Sequence, residues 1–173
     1  MLFAVRRSDR PNLWLALACF FGALHQSTIG EDLSSLLFEG PGSYSLAVHL
    51  EYFGLILGPA CALSYVTSIT GTTQLERFER YYWAVSAIFA LGTLIMPPVT
   101  FTGWLVLEQL SILVMSAVIF YWCIREASGG REEARLILAG FVVVAAAGIH
   151  DVVIANLNLQ LPFLVGYSFV GFA

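Results

Sequence analysis

The sequence predicts an all-α membrane protein built as an antiparallel bundle of transmembrane helices, and three observations lead there. The chain is 58% hydrophobic and only 12% charged, with a mean hydropathy of +0.80, whereas a soluble domain carries about 25% charged residues. Its apolar residues gather into runs that approach or exceed the roughly 20 residues a helix needs to cross a bilayer. All eight basic residues are arginine, and they fall in alternate connections between those runs.

Five runs are complete: residues 12–29, 44–69, 81–97, 101–122 and 134–155. A sixth begins near Leu161 and stops at Ala173, too short to span, so the chain is expected to be a fragment. Arg6, Arg7 and Arg10 precede the first run. Arg77 and Arg80 lie between the second and third, and Arg125, Arg131 and Arg135 lie at the connection of the fourth to the fifth. The other connections hold none. "GEDLSSLLFEGPGS" carries only Glu31, Asp32 and Glu39, while "PPVTFTG" and "NLNLQLP" are uncharged. Cytoplasmic loops concentrate arginine and lysine, which places the N-terminus in the cytoplasm and runs each odd-numbered span outward. Trp14, the "YYW" of Tyr81 to Trp83, and Tyr121 with Trp122 are expected at the inner interface, where amphipathic rings settle.

Local signals refine the boundaries. Thr73 and Glu76 have capping-box spacing, so the third helix is expected to begin in the cytoplasm. "SGGREEARL" reads as a glycine turn followed by an acidic first turn at Glu132 and Glu133, a favourable place for negative charge. Pro97 and Pro98 end the third helix at the outer face. "DLSSLLF" fits a short interfacial helix and a plain loop equally. "MLFAVRR" is not a signal peptide, because its apolar stretch is short and precedes its charges.

Several function classes drop out. No basic stripe suits a nucleic acid. Cys19, Cys61 and Cys123 lie in apolar runs without C-x-x-C spacing and are expected to be free, buried, small hydrophobes. G-x-S-x-G, H-E-x-x-H and a phosphate-cradling glycine loop are absent, so no catalytic residue, metal site or cofactor is nominated. "AAAGIH", Ala145 to His150, is read as a place for close helix approach. No internal repeat is apparent, which weighs against an inverted-repeat transporter.

Ionisable groups within spans are costly, and six occur: His25, His49, Glu51, Glu108, His150 and Asp151. With direction assigned, all fall toward the outer end of their helices. Glu51 and Glu108 come about 10 Å below the outer boundary at 1.5 Å per residue. The inner halves hold no comparable group. Three readings compete for this outer polar layer. The residues fix packing through interhelical hydrogen bonds; or they line a small-molecule or proton-sensing pocket open to the outside; or His25, His49, His150 and a carboxylate hold a metal ion.

The order of features resembles the bacterial seven-transmembrane receptors with diverse intracellular signalling modules. "LFAVRRSDRPNLWLALACFFGALHQ" resembles the junction of that family's first two helices, and "HLEYFGLIL" its third helix, with Glu51 and Tyr52 at the leucine-glutamate-tyrosine position. "LIMPPVTFTGWLVLEQLSIL" is similar to the proline-containing outer turn between helices four and five. "REASGGREEARLILAGFVVVAAAGIHDVVIANLNL" resembles the following loop and helix six, with Asp151 as its aspartate and Ala155 and Asn156 as its Ala-Asn pair. "PFLVGYSFVGFA" resembles the opening of helix seven. The resemblance covers essentially the whole chain and departs from the family at both ends: helix one is represented only by "MLFAV", and helix seven is cut.

The resemblance implies a seven-helix unit with five complete spans and partial first and last spans, in a bacterial inner membrane. It implies a sensor core that passes an extracytoplasmic signal, from a small ligand or an outer sensor domain, to a cytoplasmic effector domain in cis, in a possible homodimer. The alternatives are a small-solute transporter or channel subunit and, after it, an intramembrane metallo-hydrolase.

Overall fold

The computed structural model describes residues 10–29 and 43–157, and every regular element among them is helical. The long helices are α1 (Arg10–Ile29), α2 (Ser43–Thr70), α3 (Thr73–Ile95), α5 (Leu105–Ser128) and α6 (Glu132–Leu157). A single turn, α4 (Pro98–Phe101), and a 3-10 turn, Thr102–Trp104, separate α3 from α5. Two stretches, Tyr44–Thr70 and Pro98–Ser128, are long and apolar enough to cross a membrane. In α3, Glu76, Arg77, Glu79 and Arg80 occupy the first turns and leave only the remainder apolar. The "DLSSLLF" segment, the helix-one remnant and the run after Leu161 lie outside the described residues.

The helix ends follow from local chemistry. At the end of α2, Gly71 takes a φ of +63°, and its N–H donates to the Thr67 carbonyl at 2.9 Å, a left-handed cap that favours glycine. At the end of α5, the Gly130 N–H donates to the Ala127 carbonyl and the Arg131 N–H to the Glu126 carbonyl, the two bonds of a Schellman cap. That cap sets Gly130 at a φ of +91°, so α5 runs six residues beyond the expected Trp122 and stops at the glycine pair. Gly130→Ala is expected to cost about 1–2 kcal/mol, because a Cβ crowds the following carbonyl in this region; denaturant unfolding of the variant measures it. The capping box is not formed as expected. Thr72 is the N-cap of α3, and its hydroxyl makes no cap bond, because the helix starts one residue before the box would place it.

The helix surfaces are inverted relative to a soluble protein. On α3 the exposed positions include Tyr81, Val85, Ile88, Leu91 and Ile95, a stripe at helical spacing, while the buried ones are Leu75, Tyr82, Ser86, Gly92 and Thr93. On α5, Val106, Leu107, Leu110, Leu113 and Val114 are exposed, whereas Glu108 is buried. Contiguous apolar surface of this kind is rare on soluble monomers, and lipid chains cover it at no cost. Buried hydroxyls bond within their own helix: Thr67 donates to the Leu63 carbonyl, Thr70 to Val66 and Thr93 to Phe89. That satisfies the donor where water is absent.

The helices gather into two compact units that divide between Ala117 and Val118, within α5. In the first, α1 lies along α2, α2 packs on α3, and α4 touches both α2 and α3. Residues late in α1 meet residues early in α2: His25 reaches Glu51 and Gly54, while Phe21 and Gly22 meet Gly58. Tyr52, Ile56 and Phe101 form the core of this end, packed by Val48, Leu57, Phe89, Ala90, Met96 and Leu105. The Pro97–Pro98 break makes this possible. Pro98 sits at the first helical position of α4, where its missing N–H costs nothing, and the turn brings Phe101 onto α2.

In the second unit, the rings of Phe120 and Phe141 lie 6.2 Å apart. The Arg125 guanidinium lies 4.8 Å from the Trp122 ring centre, a cation–π contact. Trp122 is therefore buried against the helix, while Tyr121 keeps the exposed position.

Candidate functional site

Four of the six predicted polar residues, His25, His49, Glu51 and Glu108, belong to the first unit. His25 donates through Nδ1 to the Glu51 carbonyl at 3.1 Å, which ties α1 to α2. His49 donates through Nδ1 to the Ser45 carbonyl one turn back, and its ring stands edge-on to Phe101 with centres 5.0 Å apart. Tyr52 meets the same Phe101 ring at 4.9 Å. Both histidines thus commit one ring nitrogen to backbone.

Glu108 is 3% exposed, and its Oε1 meets no hydrogen-bond partner among the described residues. Leu105, one turn before Glu108 on α5, packs against the core of Tyr52, Ile56 and Phe101. Ser111, one turn along α5, donates its hydroxyl to the Glu108 carbonyl at 2.8 Å. The same hydroxyl lies within hydrogen-bond reach of the Tyr82 phenol. The result is an acidic, phenol-lined layer with one buried carboxylate oxygen left over. An orphaned buried acceptor of this kind costs about 1–3 kcal/mol, more when charged.

Across all 173 residues the chain matches one family model, 7TM diverse intracellular signalling. The chain belongs to this family. It is a membrane protein of signal transduction, and this region is the transmembrane part of a signalling receptor. No curated protein and no solved structure matches it.

His150 and Asp151 lie on α6, in the second unit; His150 is half-buried, and the Asp151 side chain lies outside the described residues. Among the described residues no three His, Cys, Asp or Glu side chains gather to hold a metal ion. Within this receptor, Cys61 and Cys123 are buried and Cys19 is half-buried, all three free.

Tyr82 is the tyrosine of the layer that the sequence pattern does not single out. The "YYW" was assigned whole to the interface, yet only Tyr81 is exposed; Tyr82 is buried and turned to Ser111. The signal was the helical phase, since Tyr82 shares a face with Leu75, Ser86 and Thr93 at spacings of seven, four and seven.

A second polar cluster lies toward the other end of α2 from the His25–Glu51 contact. Trp83 donates its indole N–H to the Ser64 hydroxyl at 2.8 Å, and Ser64 donates to the Glu79 carboxylate. The Trp14 ring lies 5.8 Å from that of Trp83, so α1, α2 and α3 meet here. Glu79 precedes the apolar run of α3, and its side chain reaches the buried Ser64 late in α2. Ser64→Ala is expected to destabilise the receptor by about 1–2 kcal/mol, because both the indole N–H and a carboxylate oxygen lose their partner. Thermal unfolding in nanodiscs, followed through tryptophan fluorescence, measures the shift.

Proposed function

We propose that the chain is the sensor and transducer core of a bacterial inner-membrane receptor, an antiparallel bundle of five complete spans with partial first and last spans. It passes an extracytoplasmic signal to a cytoplasmic effector domain in cis. The core itself is not an enzyme and works within a homodimer. The observation that carries this reading is the buried Glu108 carboxylate, whose Oε1 has no partner among the described residues, in a region whose family is a signalling one. The arginine distribution, with all eight on one side of an alternating topology, supports placing that carboxylate toward the outside.

In this reading, an outer event changes the packing around His49, Tyr52, Phe101 and Glu108. A stimulus drives such a change only by binding one arrangement better than the other. Reading the coding frame past the codon for Ala173 tests the proposal. A kinase, cyclase or phosphatase domain in frame supports it, and a stop codon after one further apolar turn contradicts it.

The Ser64–Glu79–Trp83 cluster favours a second reading, a transporter or channel subunit, because it gives the inner half polar groups that a solute path needs. Solute flux in liposomes that is lost on Glu108→Gln would carry that reading instead.

A further inference from the structure

We propose that Glu108 anchors a binding site for a small ligand bearing a primary ammonium group, with Tyr52 and Phe101 as its aromatic wall and Glu51 adding to its field. The inference rests on the sensor reading and names the ligand class of that layer.

The charge balance decides the sign of the ligand. Glu51 precedes Tyr52 on α2, and Leu105, one turn before the buried Glu108, packs against the Tyr52–Phe101 core, so the ionisable side chains next to these aromatics are carboxylates, which disfavour an anion. The arginines of the described first unit, Arg10, Arg77 and Arg80, lie at the starts of α1 and α3, the opposite ends from His25 and Met96. His25 and His49 donate Nδ1 to the Glu51 and Ser45 carbonyls. None of these groups satisfies Glu108 Oε1, which has no partner among the described residues.

The wall decides the chemistry of the cation. No three metal-ligating side chains gather among the described residues, whereas Phe101 carries the rings of both His49 and Tyr52 against it. An ammonium group offers three donors, one for Glu108 Oε1 and others for the phenol oxygens, and it is attracted to aromatic faces. Because Glu108 is 3% exposed, the ligand reaches it only in an arrangement where the helices around it part. Binding therefore selects that arrangement, which couples the site to signalling.

The test uses the whole protein in lipid nanodiscs, with n-butylammonium, ethanolammonium and phenethylammonium chlorides as probes. n-Butanol matches the first in shape without its charge, and sodium chloride controls for ionic strength. Saturable binding by equilibrium dialysis of at least one amine, with none for n-butanol, is expected. Glu108→Gln is expected to weaken that binding about tenfold or more, the scale of a lost charge-assisted hydrogen bond. Should Glu108→Gln not fold, Glu51→Gln serves as the second variant, with weaker amine binding and unchanged n-butanol behaviour expected. Absence of binding for all three amines, or equal binding of n-butanol, overturns the proposal. Amine binding unchanged in the folded variant overturns it too. None of these outcomes touches the transducer reading, which the frame beyond Ala173 tests separately.

Discussion

Gly54→Ala is expected to destabilise the receptor by about 1–3 kcal/mol, the range for forcing extra volume into a packed interface, while Gly58→Ala is expected to be neutral or slightly stabilising. The two glycines lie on the same face of α2, four residues apart, and both look onto α1. A Cβ added at Gly54 would stand 2.7 Å from the Phe21 carbonyl oxygen and 2.8 Å from the His25 backbone nitrogen and Cβ. Two of those are backbone atoms and the third is a Cβ that the backbone fixes, so relief requires moving a helix rather than a rotamer. At Gly58 the nearest atom is the Phe21 Cβ at 3.6 Å, an ordinary contact, and alanine also gains up to about 1 kcal/mol of helix propensity. Reversible unfolding in mixed micelles or nanodiscs measures both. Equal destabilisation of the two variants would show that α1 does not approach α2 as described. The Gly54 variant is further expected to disturb the His25–Glu51 hydrogen bond, since His25 is the residue displaced.

Glu108→Met is expected to raise the stability of the ligand-free receptor by about 1–3 kcal/mol, the cost of a buried acceptor without a partner, and to abolish its response to stimulus. Methionine is flexible enough to fill irregular space, so little is lost in packing. A substitution that stabilises and inactivates is the signature of a strained functional group. Unfolding midpoints measured without added amine read the first effect. A loss of stability of similar size would mean that Glu108 Oε1 has a donor in the intact receptor, and the polar layer would then be a packing device.

Helix placement was legible in the sequence because length and hydropathy decide it. The runs at 12–29, 44–69 and 134–155 sit within α1, α2 and α6, and the Pro97–Pro98 break falls where expected. The facing of each helix was less legible. Lipid and protein interior are both apolar, so an apolar run gives little sign of which side packs. The sign lies in the few small and polar residues, and reading them for phase finds Tyr82, Ser86 and Thr93 on one face of α3. Gly54 and Gly58, spaced as in a GxxxG interface, lie at the α1–α2 contact.

Of the candidate site, Glu51 and Glu108 were found because charge in an apolar run is conspicuous. Tyr82 and Ser111 were not, since tyrosine and serine are ordinary in such runs and acquire a role only through neighbours from other helices. The Ser64–Glu79 contact escaped for a related reason. Glu79 is charged and precedes its span, so only the geometry of α2 against α3 brings its carboxylate to a buried serine.

Glu108 is expected to lie toward the outside of a membrane that α5 crosses, with the arginine-bearing turn inside. Single cysteines at Thr100 and Gly129, in a background with Cys19, Cys61 and Cys123 replaced by alanine, test it with a membrane-impermeant maleimide on intact cells. Thr100→Cys is expected to be labelled in intact cells and Gly129→Cys only after permeabilisation. The reverse pattern would put the acidic layer on the cytoplasmic side, and labelling of both without permeabilisation would mean that α5 does not cross the membrane.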